Sequence, residues 1–513
     1  NMPENTSAAC RGTDLRTYRL AVACTGEYAQ APGVAAGANP ALLHAAIVTT
    51  VNRVVGVYEK ELALRMVLVA NNNVIEYLNA STDPFNGNNN ANTLINESQT
   101  VITTNIGTDN FDIGHTFSTG GGGLAGLGVV CTASQKARGI TGSPSPTGDA
   151  YDIDYVAHEM GHQWGGNHSM AGCGSSPNNT KYEVGSGTTI QAYAGICGGE
   201  DIQPNSDPTF HSISFDEISN YISGNGGNCG VSTPTGNTLP VIDPLPNNGV
   251  NIPVGTPFTL TGSASDANGD ALTYSWEQWD FSGTATWNAG ATAAAGNTVP
   301  LFKSRLPKVS GSRTFPDIAV ILAGFPANPA ATMNGLKGET LSPVARPMKF
   351  RLTVRDNRAG GGGIVSSGGG CQDAAVFQVN VVGTSPFTVS APNGGESFPG
   401  NTSQTVTWNV AGTNAAPVNT LNVKISLSTD GGLTYPTVLT ASTANDGSEV
   451  VTIPNTPSTT ARIKVEALGN IFFDISNNNF SITAAVSGFS FNTTNPTTIA
   501  CAGPATADVT LGS

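Results

Sequence analysis

The stretch VAHEMGHQWGGNHS, residues 156–169, places His158, His162 and His168 within eleven positions, half of the six histidines in a chain of 513 residues. It reads H-E-x-x-H-x-x-G-x-x-H, and that reading decides the class of the N-terminal part. Residues four apart project from one face of an α-helix, so His158 and His162 can grip one metal ion between neutral imidazoles. Gly165 lets the chain leave the helix by a turn that a Cβ would hinder, which brings His168 round as a third ligand. Three nitrogens leave a fourth tetrahedral position for water, the arrangement of a catalytic zinc (Zn2+) site. Glu159 stands beside the first ligand, where a carboxylate can take the proton of a water acidified by the metal. Histidines that merely decorate a polar helix would not require the glycine and the third histidine at fixed places.

Working outward, the preceding residues mix strand and helix signals. RTYRLAVAC (16–24) alternates as a strand. NPALLHAAIVTTVNRVVGVYEKEL (39–62) has apolar residues at helical spacing behind an Asn-Pro start signal. RMVLVAN (65–71) is a second strand, NANTLINESQTVITTNI (90–106) a second helix, FDIGHTFS (111–118) and GLAGLGVVC (123–131) two more strands, and YDIDYVAHEMGHQWG (151–165) the third helix. This order is that of an α/β (α+β) domain. Beyond a Pro/Asn/Gly linker near residue 235, helical periodicity gives way to short strands punctuated by turns, the texture of β-sandwiches. The expected fold class is therefore multidomain: an α/β (α+β) domain over residues 1–235, β-sandwiches over 236–383 and 384–485, and the start of a further β module over 486–513. Trp276 and Trp408 are the expected core tryptophans of the two sandwiches.

The extended histidine motif, the fold order before it and the segments FSTGGGGLAGLGVVC and GTTIQAYAGIC resemble the metzincin clan of zinc endopeptidases, and within it the bacterial reprolysin-like branch found in exported multidomain proteins. The resemblance covers roughly residues 14–230. It implies that His158, His162 and His168 bind zinc and that Glu159 is the general base. It further implies that the glycine-rich strand from Gly123 to Gly128 is an edge to which an extended peptide substrate adds by backbone hydrogen bonds; as a sequence alone, the same run also reads as a flexible loop. One residue departs from the pattern. Metzincins carry a methionine in the turn beneath the metal, and this chain has Gln191 there. Two residues on, Tyr193 matches a position whose phenol assists the metal or the oxyanion in some branches; packing within the turn is the other reading. Of 105 possible connectivities for eight cysteines, Cys173–Cys197 would brace the site and Cys131–Cys229 would tie the edge strand to the last helix. His44, His115 and His211 read as structural residues.

Downstream, SASDANGDALTYSWEQWD offers Asp266, Asn268, Asp270 and Asp280, and VRDNR offers Asp356 and Asn357. Closely spaced hard oxygens suit calcium (Ca2+), and the run resembles the calcium-bearing loops of PKD-like and cadherin-like sandwiches. Ordinary turns use the same residues without any ion. Residues 384–485, with APNGGESFPG and LSTDGGLTY, resemble an Ig-like module of exported Bacteroidetes-type proteins, suited to cell-surface or glycan contact.

Composition agrees with an exported protein. Charged residues are 11% of the chain, against roughly 25% in an average soluble protein, and the scattered cysteines fit disulfides of an oxidising compartment. The formal net charge of −14 disfavours nucleic acid as a partner. No apolar run approaches the roughly 20 residues that span a bilayer. The expectation is a secreted or cell-surface zinc endopeptidase acting on protein or peptide substrates. The alternative is a surface, adhesion or structural protein whose metzincin-like domain has become a scaffold, with Gln191 as the first sign of decay.

Overall fold

The computed structural model describes residues 10–485 apart from 121, 175, 178, 282, 289–297 and 325–336; the further β module expected at 486–513 lies outside the described residues. The first part is built on strand β1 (Asp14–Cys24). Helix α1 (Pro40–Leu62) follows, opened by Asn39, whose side chain accepts from the Ala41 and Leu42 amides, with Pro40 in the first turn. Strand β2 (Leu64–Leu68), helix α2 (Ala91–Ile106) and strands β3 (Ile113–Ser118), β4 (Gly123–Ala125) and β5 (Gly139–Gly142) come next. The sheet order is β2-β1-β3-β5-β4, parallel except for β4. A last strand, β6 (Val231–Pro234), runs antiparallel to the start of β1.

Period-two alternation sorts β1 between two layers. Tyr18, Leu20 and Val22 pack with α1 (Leu43, Ile47, Val51, Val54) and with Ile153, Val156 and Met160 of the histidine-bearing helix. Ala21 and Ala23 face α2, against Leu94, Ile95 and Ile102. Small residues on that face let α2 sit close, and the result is a helix–sheet–helix sandwich. By length and composition α1 is apolar enough to cross a membrane, at a mean hydropathy of 1.3. It instead buries one stripe, Leu43, Ile47, Val51, Val54 and Tyr58, in this core and carries charged Arg53, Glu59, Lys60 and Glu61.

The remainder is β-rich. A six-stranded sheet joins Val250–Pro253, Thr273–Gln278, Arg346–Arg355, Ile364–Ser366 and Phe377–Val382, and its sixth member is Cys10–Arg11, paired with Val365 and Ile364. The N-terminal residues thus join the sheet of the second unit, fastened by a Cys10–Cys371 disulfide. The last unit stacks a three-stranded sheet, with Thr402–Asn409 in its middle, against a six-stranded one that includes Asn422–Ser428 and Ser458–Ala467. Trp276 and Trp408 are both buried, and Trp408 donates from its indole to Asn445 Oδ1 at 2.9 Å.

One carboxyl in this last unit gives a pH signature. Asp474 accepts from the Val389 amide at 2.7 Å, and burial pushes its pKa up to about 7. A raised carboxyl pKa means the folded state holds the proton more tightly, so this contribution is full below about pH 4 and is lost as pH rises through 7. Asp474→Asn should therefore stabilise the chain at pH 8, by about 2–4 kcal/mol, and change little at pH 4. Thermal melts of the two chains at both pH values check this; equal shifts at both would remove the carboxyl as the cause.

Candidate metal centre

The histidine-bearing helix begins at Gly148 (φ 73°) and runs through Asp149–Tyr151, a π-helical turn at Asp152–Ala157 and the α-helical His158–Gln163. The widened turn stops immediately before the first histidine; such turns recur at functional sites. It is held by Thr50, which donates to Asp152 Oδ1 at 2.8 Å, and by Tyr58, which donates to the Ala157 carbonyl at 2.7 Å. The helix ends at Trp164. Gly165 takes φ 90°, its N–H donates to the His162 carbonyl and that of Gly166 to the Gly161 carbonyl. This is a Schellman close, and only glycine adopts that φ without strain.

The close turns the chain back, and the three Nε2 atoms meet: His158 to His162 at 3.1 Å, His158 to His168 at 3.1 Å and His162 to His168 at 3.0 Å. Two of the rings have committed their other nitrogen. His158 Nδ1 donates to the Ile190 carbonyl at 2.7 Å and His162 Nδ1 to the Gly166 carbonyl at 2.6 Å, so their Nε2 atoms present bare lone pairs. Burial and the mutual proximity of the rings hold His158 well below, and His162 at about 3 against, the usual imidazole value, so both are neutral. Neutral lone pairs converging at this spacing repel unless a cation sits among them. Tetrahedral ligands about 2.0–2.1 Å from zinc lie about 3.3 Å apart, and the donor set fits that ion.

Glu159 is buried, and desolvation pushes its pKa up to about 8. It lies against the edge strand β4: a Cβ on Gly123 would fall 2.0 Å from Glu159 Oε1. Among the described strands β4 has only β5 as a partner, so one of its edges has no strand beside it. Gly126–Gly128 continue as a turn instead of strand, pinned by Gly128 N–H to the His162 carbonyl at 2.9 Å. Tyr193 packs its ring on His168 (centroids 4.6 Å apart) and His158 (5.6 Å).

Gln191 lies under the site. Its amide abuts Gly161, where a Cβ would be 2.3 Å from Oε1, and its Nε2 is 3.2 Å from His162 Nδ1 and donates to the Gly166 carbonyl at 3.1 Å. Oε1 is buried with no protein partner. Half of the amide is thus satisfied, and the orphaned oxygen costs about 1–3 kcal/mol. Gln191→Met should leave the three-histidine site intact and move stability by less than about 1.5 kcal/mol. Gln191→Ala opens a cavity and should cost about 2–4 kcal/mol. Melts and zinc content of the two variants decide; an Ala variant as stable as the parent would refute this role.

Two acids, Glu183 buried and Glu217 half-buried, give no sign in the sequence. Glu183 accepts from Ser169 Oγ at 2.6 Å and from the Thr188 and Thr189 amides at 2.8 and 3.2 Å, tying the residue after His168 to the turn that carries Ile190 and Gln191. Glu217, on helix α3 (Ser212–Ser223), accepts from the Asn167 amide and side chain at 2.9 and 2.7 Å. The disulfides Cys173–Cys197 and Cys131–Cys229 both form. The other histidines serve structure: His44 meets Glu76 on the surface of α1, His115 is buried between Gln163 and Thr141, and His211 caps α3.

In the second unit, ligand atoms of Asp266, Asp270 and Asp356 lie within 4.8 Å of one another. Asp266 Oδ2 and Asp270 Oδ2 are buried without a hydrogen-bond partner, with Arg358 3.7 Å from the latter. Asp266 Oδ1 also accepts from the Asn268 and Asp270 amides, as in an ordinary turn. Asn268 is exposed and its Oδ1 accepts from the Thr238 amide, while Asn357 Nδ2 donates to the Ala271 carbonyl. Asp280 stands apart from the trio, accepting from Gln278 and the Lys349 amide.

Residues 14–221 match the reprolysin-like model of metallopeptidase family M12B. No curated protein matches the chain. Among solved structures, the chain is similar to fibronectin(III)-like modules of Clostridium thermocellum CbhA (8% identity, 50% of this chain and 100% of that one, TM-score 0.15). It is likewise similar to the chicken CNTN1 FN1-FN3 domains (12% identity, 48% and 68%, TM-score 0.14). Likeness at such scores carries no argument about this chain.

Proposed function

We propose that the chain is an exported zinc endopeptidase. The observation that carries this reading is the convergence of three Nε2 atoms at 3.0–3.1 Å beside a buried carboxylate. His158, His162 and His168 would hold the ion. Zinc, when bound, supplies a Lewis acid that acidifies a water and polarises a peptide carbonyl. Glu159 takes the water's proton and returns it to the departing amine, and its burial against Gly123 keeps bulk water from competing for it. The edge of β4 aligns an extended peptide through main-chain hydrogen bonds, which gives loose side-chain selectivity. Tyr193, against two of the ligands, would donate a hydrogen bond from its phenol to the oxyanion. Three disulfides support an oxidising, extracellular location. The PKD/cadherin-like unit at 236–383 and the Ig-like unit at 384–485 present this domain to a cell surface or glycan.

Casein incubated with the purified chain should be degraded, protected by a zinc chelator and degraded again after zinc is restored. A zinc-replete chain that leaves casein and gelatin intact would establish the scaffold reading instead. An intact, buried Glu159 speaks against that alternative, since a binding-only site has no use for a general base.

Calcium is proposed as a second ion, held by Asp266, Asp270 and Asp356, on the strength of the two buried oxygens that accept no hydrogen bond. An ion bound only by the folded state adds RT ln(1 + [L]/Kd) of stability. Millimolar calcium should therefore raise the melting temperature of the chain, and Asp270→Asn should abolish the increment. A midpoint that ignores calcium leaves these residues as turn formers.

A further inference from the structure

We infer that the second unit is a working part of the metal centre: through Arg351 and Trp279, as positioning residues, it fixes the segment that delivers His168, Gln191 and Tyr193. The inference rests on the zinc reading above and concerns how that site is held.

Between Gly165 and His211 the described residues form one 3-10 turn, Gly198–Glu200, and a single bridge from Met170 to Glu183. No sheet ladder or long helix fixes the backbone that carries the third ligand. Ile190 and Phe210 join the core beneath the histidine helix, but other buried apolar side chains of this segment pack elsewhere. Ala171, Val184 and Ile202 belong to the buried cluster of Trp276, Leu301 and Phe302 in the second unit. Backbone bonds follow the same route: Gly185 N–H donates to the Ala285 carbonyl at 2.9 Å and Ala285 N–H to the Ala171 carbonyl at 3.2 Å. Lys337 donates to the Gly199 and Asp201 carbonyls, and Thr188 Oγ1 to the Ser304 carbonyl at 3.1 Å.

Arg351 is where these supports meet. Its guanidinium is buried, bonded through Nε to the Ser367 carbonyl of its own sheet at 2.7 Å and through an N–H to Asp216 Oδ2 at 2.6 Å. Asp216 neighbours Glu217, which grips Asn167 immediately before His168. The other face of the node is aromatic. Arg351 lies 4.1 Å over the Trp279 ring, and Trp279 stacks at 4.4 Å on Tyr182, next to Glu183 and its grip on Ser169 and the Gln191 turn. Glu277 adds an anchor by accepting from the Ser212 amide at the start of α3 at 2.8 Å. One cation, from a sheet outside the family-matched residues, thus bonds Asp216 and lies over Trp279, which stacks on Tyr182. Asp216 and Tyr182 precede in sequence the carboxylates that grip Asn167 and Ser169 on either side of His168.

The test uses the full chain and zinc itself. Arg351→Met, Trp279→Leu and Glu277→Gln should each raise the zinc dissociation constant, read by competition with a chromophoric chelator. The expected rise is about 10–100-fold, the range for groups that orient metal ligands. They should also alter the visible absorption of the cobalt(II)-loaded chain, a signature that general loss of stability does not move. Arg462→Met, which removes a buried arginine bonded to Asn479 and Ser476 in the last unit, should change neither. Should Arg351→Met not fold, Glu277→Gln, which keeps side-chain volume, decides. A parent chain that binds no zinc overturns the reading beneath this inference. A parent that binds zinc, with every variant holding it equally and with the parent's cobalt spectrum, overturns the inference alone.

Discussion

Glu159→Gln should retain one zinc per chain and hydrolyse peptides about 10³–10⁴-fold more slowly than the parent, at the upper end of what a positioned general base contributes. The three imidazoles that would hold the ion make no use of Glu159, and two of them are oriented by carbonyls, Ile190 for His158 and Gly166 for His162. The amide of glutamine fills the same buried space against Gly123 but cannot take a proton from water. Metal analysis together with rates on a quenched peptide separates the two effects. A variant as fast as the parent would end the proposed mechanism, and one that lost zinc as well would show that Glu159 holds the site together instead of working in it.

Gly123→Ala, a single methyl on the edge strand, should also be damaging, though less so. Its Cβ would fall 2.0 Å from Glu159 Oε1 and 2.4 Å from Cδ, so the carboxyl or the strand must move. A displacement of about 1 Å in a reacting group costs on the order of 10²-fold in rate. Zinc content should be unchanged, because no ligand lies in the path of the methyl, and kcat should fall more than KM rises. A normal kcat would mean that β4 yields freely and that Glu159 does not depend on its backbone.

The histidines, Glu159 and the need for glycine at 165 were legible because helix geometry and a positive φ act over a few residues, so spacing alone encodes them. The helices from Pro40 and Ala91 were legible through their asparagine caps and apolar stripes. Gln191 could be placed under the site only through the resemblance, and its unpartnered oxygen was invisible. Glu183 and Glu217 look like loop and surface acids in sequence, since nothing local marks a carboxylate that reaches the segment around His168 from 14 or 50 residues away. Glu61 is the plainest case. In VYEKEL it reads as one more solvent-facing charge, yet it is buried and paired bidentately with Arg355, 294 residues on. The π-turn at Asp152–Ala157 left no trace either, because side-chain patterning does not report a backbone that gains one residue per turn. Cys10–Cys371 is one pairing among many, and nothing near Cys10 announces that it joins a distant sheet.

That cross-link changes how the molecule carries load. A pull applied ahead of Cys10 and beyond the last unit enters the covalent bridge to Cys371 and bypasses the 361-residue loop it closes. The sheet, the histidine helix and the segment behind it all lie within that loop. Tension applied across the two ends of the chain would therefore run past the three-histidine site, leaving its ångström-scale geometry mechanically unstrained while the protein is stretched.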